Sequence, residues 1–281
     1  MQTLLNTPHE IIQQNILGAA AKAKTRILNI LVLGMMAGSF IAMGAQSSSL
    51  AVHNISNIGL ARTLAGCIFP VGLMMIVFVG GELFTGDCMM SMAWMQRKIH
   101  FADMLRTLVL VYVSNFVGAA LIAFLVAHSG QYDYSSGALG AYTIKVAYGK
   151  VHLSFANALV SGILCNILVC VAVLMAAAAK DIAGKVLAIF FPILAFVVSG
   201  FEHCVANMYY IPAGIFASKN AAYAAKAFEF YNIDSTQLSS LNWGSFAISN
   251  LIPVTIGNII GGALLVGGAC FYLHGKALHE S

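Results

Sequence analysis

Apolar residues in this chain come as long unbroken runs rather than as stripes or alternations, and about 20 of them in a row suffice to cross a bilayer as a helix. Six such runs occur, at about 27–46, 63–94, 107–128, 155–179, 186–216 and 246–273. With no water in the lipid core, each crossing segment must satisfy its own backbone, which a helix does internally. Only 9% of the 281 residues are charged, whereas a soluble domain carries roughly a quarter. The expected fold is therefore an all-α membrane protein with six transmembrane helices embedded in a lipid bilayer. The same composition excludes disorder, a collagen-like repeat and a secreted disulfide framework. A net charge of +4, thinly spread, leaves no footprint for nucleic acid. The six cysteines (Cys67, Cys88, Cys165, Cys170, Cys204, Cys270) lie inside apolar stretches without CxxC or His/Cys spacing, so they read as small buried hydrophobes, with no metal site and no cofactor.

Residues 1–26 precede the first run and carry an amphipathic helix over 8–26. Thr7 and Pro8 open it, and Ile11, Ile12, Asn15, Ile16 and Ala19 share one face. Its place is open between the membrane surface and a neighbouring subunit. The run starting near Ile27 has no small-residue cleavage site after a short core, so the N-terminus is expected to be retained. Residues 27–273 form the six-span domain, with repeat one at 27–128, repeat two at 155–273 and a tail at 274–281. With the N-terminus in the cytoplasm, the inside loops hold Lys22, Lys24, Arg26, Arg97, Lys98, Arg106, Lys180, Lys185 and Lys276. The outside loops hold Arg62, Lys145, Lys150, Lys219 and Lys226. Nine against five places both ends in the cytoplasm.

The second and fifth runs are too long for one crossing. Gly80-Gly81-Glu82-Leu83-Phe84-Thr85-Gly86-Asp87 interrupts one, and Ser199-Gly200-Phe201-Glu202-His203 the other. In addition, Asn115-Phe116-Val117-Gly118-Ala119-Ala120-Leu121 of the third span resembles Asn258-Ile259-Ile260-Gly261-Gly262-Ala263-Leu264 of the sixth. Three spans per half make an odd number, so the halves enter the membrane in opposite directions. That is an inverted 3+3 repeat with paired broken helices, which points to a central pathway.

An ionisable group in a membrane core costs about 2.5 kcal/mol or more and is functional by default. Glu82, Asp87, Glu202 and His203 are the four that qualify, and all lie at the breaks. His203 sits where backbone N–H groups are freed, a natural anion site, and its ordinary pKa lets it exchange a proton near neutrality. Glu202 points elsewhere around the helix and reads as support that accepts hydrogen bonds from the broken backbone. Glu82 takes the same role by pseudo-symmetry, and Gly81 and Gly200 provide the breaks. Thr85 offers a hydroxyl, while Leu83 and Phe84 narrow the lumen, an apolar constriction that excludes hydrated ions. Lys150, just before the fourth span, raises the local anion concentration at an outer vestibule.

At Glu82-Leu83-Phe84-Thr85-Gly86, Gly200-Phe201-Glu202-His203-Cys204-Val205-Ala206-Asn207-Met208 and Asn250-Leu251-Ile252-Pro253-Val254-Thr255-Ile256-Gly257-Asn258, the chain resembles the formate/nitrite transporter family. The resemblance covers nearly the whole sequence. It implies an aquaporin-like six-span protomer in a homopentamer, with one anion pore in each protomer, for formate, nitrite or hydrosulfide. Residue by residue, it carries the pore histidine onto His203, the loop threonine onto Thr85, the vestibule lysine onto Lys150 and a pore-facing asparagine onto Asn166. Constriction residues fall on Leu73 and Phe84 towards the cytoplasm, and on Phe69, Phe196 and Leu83 elsewhere. Asp87, Cys88 and Cys204 depart from the family pattern.

These readings converge on a bacterial inner-membrane channel for small monovalent anions, formate first and hydrosulfide or nitrite as alternatives, with passive passage and proton co-transport through His203 both left open by the sequence. Two other classes fit less well. A neutral-solute channel of the aquaporin kind lacks the paired Asn-Pro-Ala motifs, since Ile211-Pro212-Ala213 has no asparagine. An intramembrane enzyme using Glu202, His203 and Cys204 would need consecutive helical residues to converge, and they diverge around the axis.

Overall fold

The computed structural model describes residues 5–275; Lys276 and most of the tail 274–281 lie outside them. Among the described residues the chain is helical, apart from one isolated antiparallel bridge between Leu5 and Ala179. Six helices are long and apolar enough to cross a membrane. They are α2 (Ile27–Val52), the joined pair α3 (Ile58–Ile68) and α4 (Val71–Val79), α7 (Phe101–Ala127), α9 (Phe155–Ala178), α10 (Ile182–Ser199) and the final helix, Trp243–Gly275. The shorter α1 (Pro8–Lys22), α5 (Phe84–Asp87), α6 (Ser91–Met95), α8 (Ala138–Val151), α11 (Cys204–Ala217) and α12 (Ala221–Tyr231) fill the breaks and the ends.

Both broken spans stop on a glycine in a left-handed conformation, Gly80 at φ 100° and Gly200 at φ 70°, a region costly for any residue with a Cβ. Each stands two residues before the break carboxylate. Gly80, not the expected Gly81, is thus the counterpart of Gly200; Gly81 instead packs against Ala37 of α2. The breaks are short, Gly80–Leu83 and Gly200–His203, because helix resumes at Phe84 and Cys204. The first break was expected to extend to Asp87.

The two halves pack alike. α2 runs along α7, and α9 along the final helix. A Cβ on Gly38 or Gly118 would collide with the facing backbone at Asn115 or Met35; one on Gly257 or Gly261 would collide with Leu159 or Ile163. In lipid there is no hydrophobic drive between helices, and small residues that let backbones touch supply the dispersion contacts instead.

Two elements differ from the sequence expectation. α1 is capped by Thr7 and Glu10 in a reciprocal capping box, and its buried face (Ile11, Ile12, Ile16, Ala19) packs on α6, α9 and the end of the final helix of its own chain. Lys150 is not on a loop: it belongs to the last turn of α8, whose Leu139, Ile144, Ala147 and Val151 are buried against the bundle. Alanine and glycine spacing along α8 lets α11 approach it closely, with Gly214 directly against Ala147.

Candidate functional site

Every break in a membrane helix frees backbone groups that water cannot satisfy, and here the repeated asparagines satisfy them. Asn115 Oδ1 accepts from the Phe84 N–H at 3.0 Å, while its Nδ2 donates to the carbonyls of Gly34 and Glu82, both at 2.8 Å. Asn258 does the same in the other half. Its Oδ1 accepts from Cys204 N–H at 2.9 Å, and its Nδ2 donates to Gly162 at 2.8 Å and Glu202 at 3.0 Å. Both asparagines are fully buried. They head the two repeated heptads, a signal present in the sequence whose purpose only the folded chain displays.

Between the breaks lie Thr85 and His203. His203 Nδ1 accepts from the Ala206 N–H at 3.0 Å, capping α11, so the ring proton belongs on Nε2. Nε2 stands 3.0 Å from Thr85 Oγ1 and donates to it, leaving the threonine hydroxyl proton for a ligand. Asn166, expected to face the pore, gives its amide to the carbonyls of Thr85 at 3.1 Å and Asn258 at 2.6 Å. It holds the threonine from behind.

Two cavities approach this pair from opposite ends. One, of about 210 Å³, is walled by Phe69, Lys150, Phe196, His203, Asn207 and Tyr210 among others. The other, of about 460 Å³, is walled by Lys22, Leu73, Glu82, Leu83, Gly86 and Asp87 among others. A single face of the second span runs past both: Arg62, Ala65 and Phe69 on the first, Leu73, Ile76 and Gly80 on the second. At 1.5 Å per residue this face covers about 27 Å, close to the hydrocarbon thickness. Phe69 and Phe196 meet edge to face at 5.4 Å, and the Phe196 ring lies 6.0 Å from His203. Phe69 and Phe196 wall the first cavity and Leu73 and Leu83 the second, each at most 5% exposed, together an apolar lining. Phe84 is not in it. Its ring packs against Tyr112 at 4.8 Å and walls a groove between α7 and the final helix.

An ammonium stands in each cavity. Lys150 Nζ donates to Glu202 Oε1 at 2.8 Å, and Glu202 Oε2 accepts from Asn207 at 2.7 Å and Asn250 at 3.2 Å. Side chains thus hold the carboxylate that was expected to serve the broken backbone; the backbone task falls to Asn258. At the other end Lys22 contacts both Glu82 and Asp87. Asp87 occupies the position five after Glu82, as Asn207 does after Glu202, and its Oδ2 is buried with no hydrogen-bond partner among the described residues. Lys22 as the partner of Glu82 was beyond sequence reasoning, because a lysine closing an amphipathic helix reads as a surface charge. Among the described residues no cluster of His, Cys, Asp or Glu is arranged to hold a metal ion.

The sequence profile of the formate/nitrite transporter family matches residues 9–272. The chain is 38% identical over 272 residues to an uncharacterised transporter, YrhG, of Bacillus subtilis, covering 96% of this chain and 94% of the relative. It is 36% identical to the formate channel FocA of Haemophilus influenzae, covering 89% and 88%. Its fold superposes on a pentameric formate channel solved with formate bound at a TM-score of 0.77, with 31% identity over 88% of this chain and 97% of that one. The profile, these relatives and the shared fold together establish that the chain belongs to the formate/nitrite transporter family.

Proposed function

We propose that the chain is one protomer of a homopentameric channel for small monovalent anions, with formate as its preferred substrate and a separate path through each protomer. The observation that carries this reading is the pair of cavities flanking the buried Thr85–His203 hydrogen bond, one walled by His203 itself and the other by Leu83 and Gly86 on either side of Phe84 and Thr85. An anion passing the apolar lining sheds water, and the threonine hydroxyl, held in place by the histidine N–H, replaces a lost hydrogen bond. Lys150 uses one of its three donors on Glu202 and offers the others to an arriving anion. The formate-channel relatives and the similar fold of a pentameric channel with formate bound support substrate and assembly. Nine basic residues in the loops on the side of α1, against five on the other, support a bacterial inner-membrane location with both ends in the cytoplasm.

Co-transport of a proton through His203 requires the ring to take a second proton, on Nδ1, and to release the Ala206 N–H. Flux through His203→Phe protein in liposomes across pH 5 to 8 tests this, because unchanged flux and pH dependence remove the histidine from the mechanism. A flux panel of formate, nitrite and hydrosulfide with an imposed pH gradient tests the substrate. Formate is expected to rank first; formate ranking last overturns that choice. Rapid glycerol uptake in an osmotic assay instead marks a neutral-solute channel.

A further inference from the structure

Beyond the Lys150 cavity the path widens into a mouth of about 570 Å³. Val52, Arg62 and Tyr142 line both spaces and so mark their junction. Arg62 Nη1 donates to the Val198 carbonyl at 3.2 Å, near the end of α10, and the guanidinium lies over Gly200 so closely that a Cβ there would collide with it. Lys145 stands in the same mouth, its Nζ 4.7 Å from the Tyr231 ring centre and 5.6 Å from that of Tyr142. The ion pairs of the described residues join Lys22 to Glu82 and Asp87 and Lys150 to Glu202; among those residues Arg62 and Lys145 have no carboxylate within 4.0 Å. Two cations without a compensating acid among the described residues therefore face the entrance, one of them beside the break that leads to His203.

We propose that Arg62, assisted by Lys145, is an anion-capture station that takes small hydrated monovalent anions at the mouth and passes them to Lys150. This rests on the channel reading above. A guanidinium stays charged at every working pH, and a cleft with low-dielectric walls focuses its field, raising the arrival rate of an opposite charge by about tenfold or more. Such an effect acts over a screening length of about 30 Å at 0.01 M salt and about 3 Å at 1 M. Capture is therefore visible at low salt and hidden at high salt. A purely structural role, holding the Val198 carbonyl, has no such dependence.

The test is formate flux into proteoliposomes as a function of formate concentration, at about 0.01 M and about 1 M of an impermeant salt. In Arg62→Gln the half-saturating concentration is expected to rise about tenfold at low salt, with the maximal rate kept and the gap closed at high salt. Arg62→Lys is expected to restore the wild-type value. An Arg62→Gln protein with unchanged half-saturation at low salt overturns the proposal. So does a deficit equal at both salts, or one that Arg62→Lys shares. Wild-type protein that carries no formate fails the channel reading itself, whereas wild-type flux with an indifferent Arg62→Gln fails only the capture station.

Discussion

A buried polar group left without its partner costs about 1–3 kcal/mol, and Asn258 partners three backbone groups at once. Asn258→Ala is accordingly expected to lose several kcal/mol and to lower the melting temperature in detergent well below that of a substitution on the lipid face; Asn115→Ala should behave alike. Equal melting of Asn258→Ala and wild type would contradict the stapling role. Thr85→Val keeps the shape and removes the hydroxyl. A hydrogen bond to a charged group is worth about 1.5–3 kcal/mol, so formate flux should fall about tenfold or more with assembly intact, as measured in proteoliposomes and by gel filtration. At this scale the sequence was readable where a polar residue interrupts lipid, as at His203 and Thr85. It was not readable where consecutive side chains diverge: Leu83 walls a cavity and Phe84 a groove facing the other way, and no one-dimensional pattern separates them.

Elements extend the same lesson. The six crossings follow from apolar length alone, but their limits shift: α2 continues from Gln46 to Val52 and α7 begins at Phe101, ahead of Thr107, while the second and fifth crossings stop at their breaks. The docking of α1 depends instead on a contact between Lys22 and two carboxylates some sixty residues away. Lys22→Gln is expected to accelerate amide exchange over residues 8–22 while leaving α7 and α9 protected; uniform protection would show that the apolar face alone holds the helix. Burial by itself would lower the Lys22 ammonium, but Asp87 and Glu82 outweigh it and hold the group above the ordinary lysine value. A folded value above the unfolded one means the stabilisation is complete below the unfolded pKa of about 10.4 and disappears only as pH rises through the folded value. Protection of α1, corrected for intrinsic exchange rates, should therefore stay flat between pH 8 and 9. Between spans, Gly261→Ala forces a methyl into the Ile163 backbone. Overpacking of that kind costs about 1–3 kcal/mol and should shift gel-filtration profiles towards dissociated or aggregated protein.

At the scale of the whole molecule, the proposed path inside each protomer would make transport additive. Pentamers assembled from mixed wild-type and Thr85→Val chains should carry formate in proportion to the wild-type fraction. A steeper loss would indicate a shared axial pore. The architecture itself was largely legible, since an odd number of spans per half and two glycine breaks leave few alternatives to an inverted repeat. The inequality of the halves was not, because it lies in which distant side chains meet. At one cavity Lys150 pairs with a single carboxylate, Glu202, itself held by the amides of Asn207 and Asn250; at the other Lys22 meets two carboxylates, Glu82 and Asp87. A protomer turned upside down in the membrane is then a different electrical object. With identical formate solutions on both sides and all channels inserted in one orientation, currents at equal and opposite voltages should differ. Asp87→Asn, which leaves one lysine and one glutamate in each of these two pairs, should bring the current–voltage curve closer to a straight line.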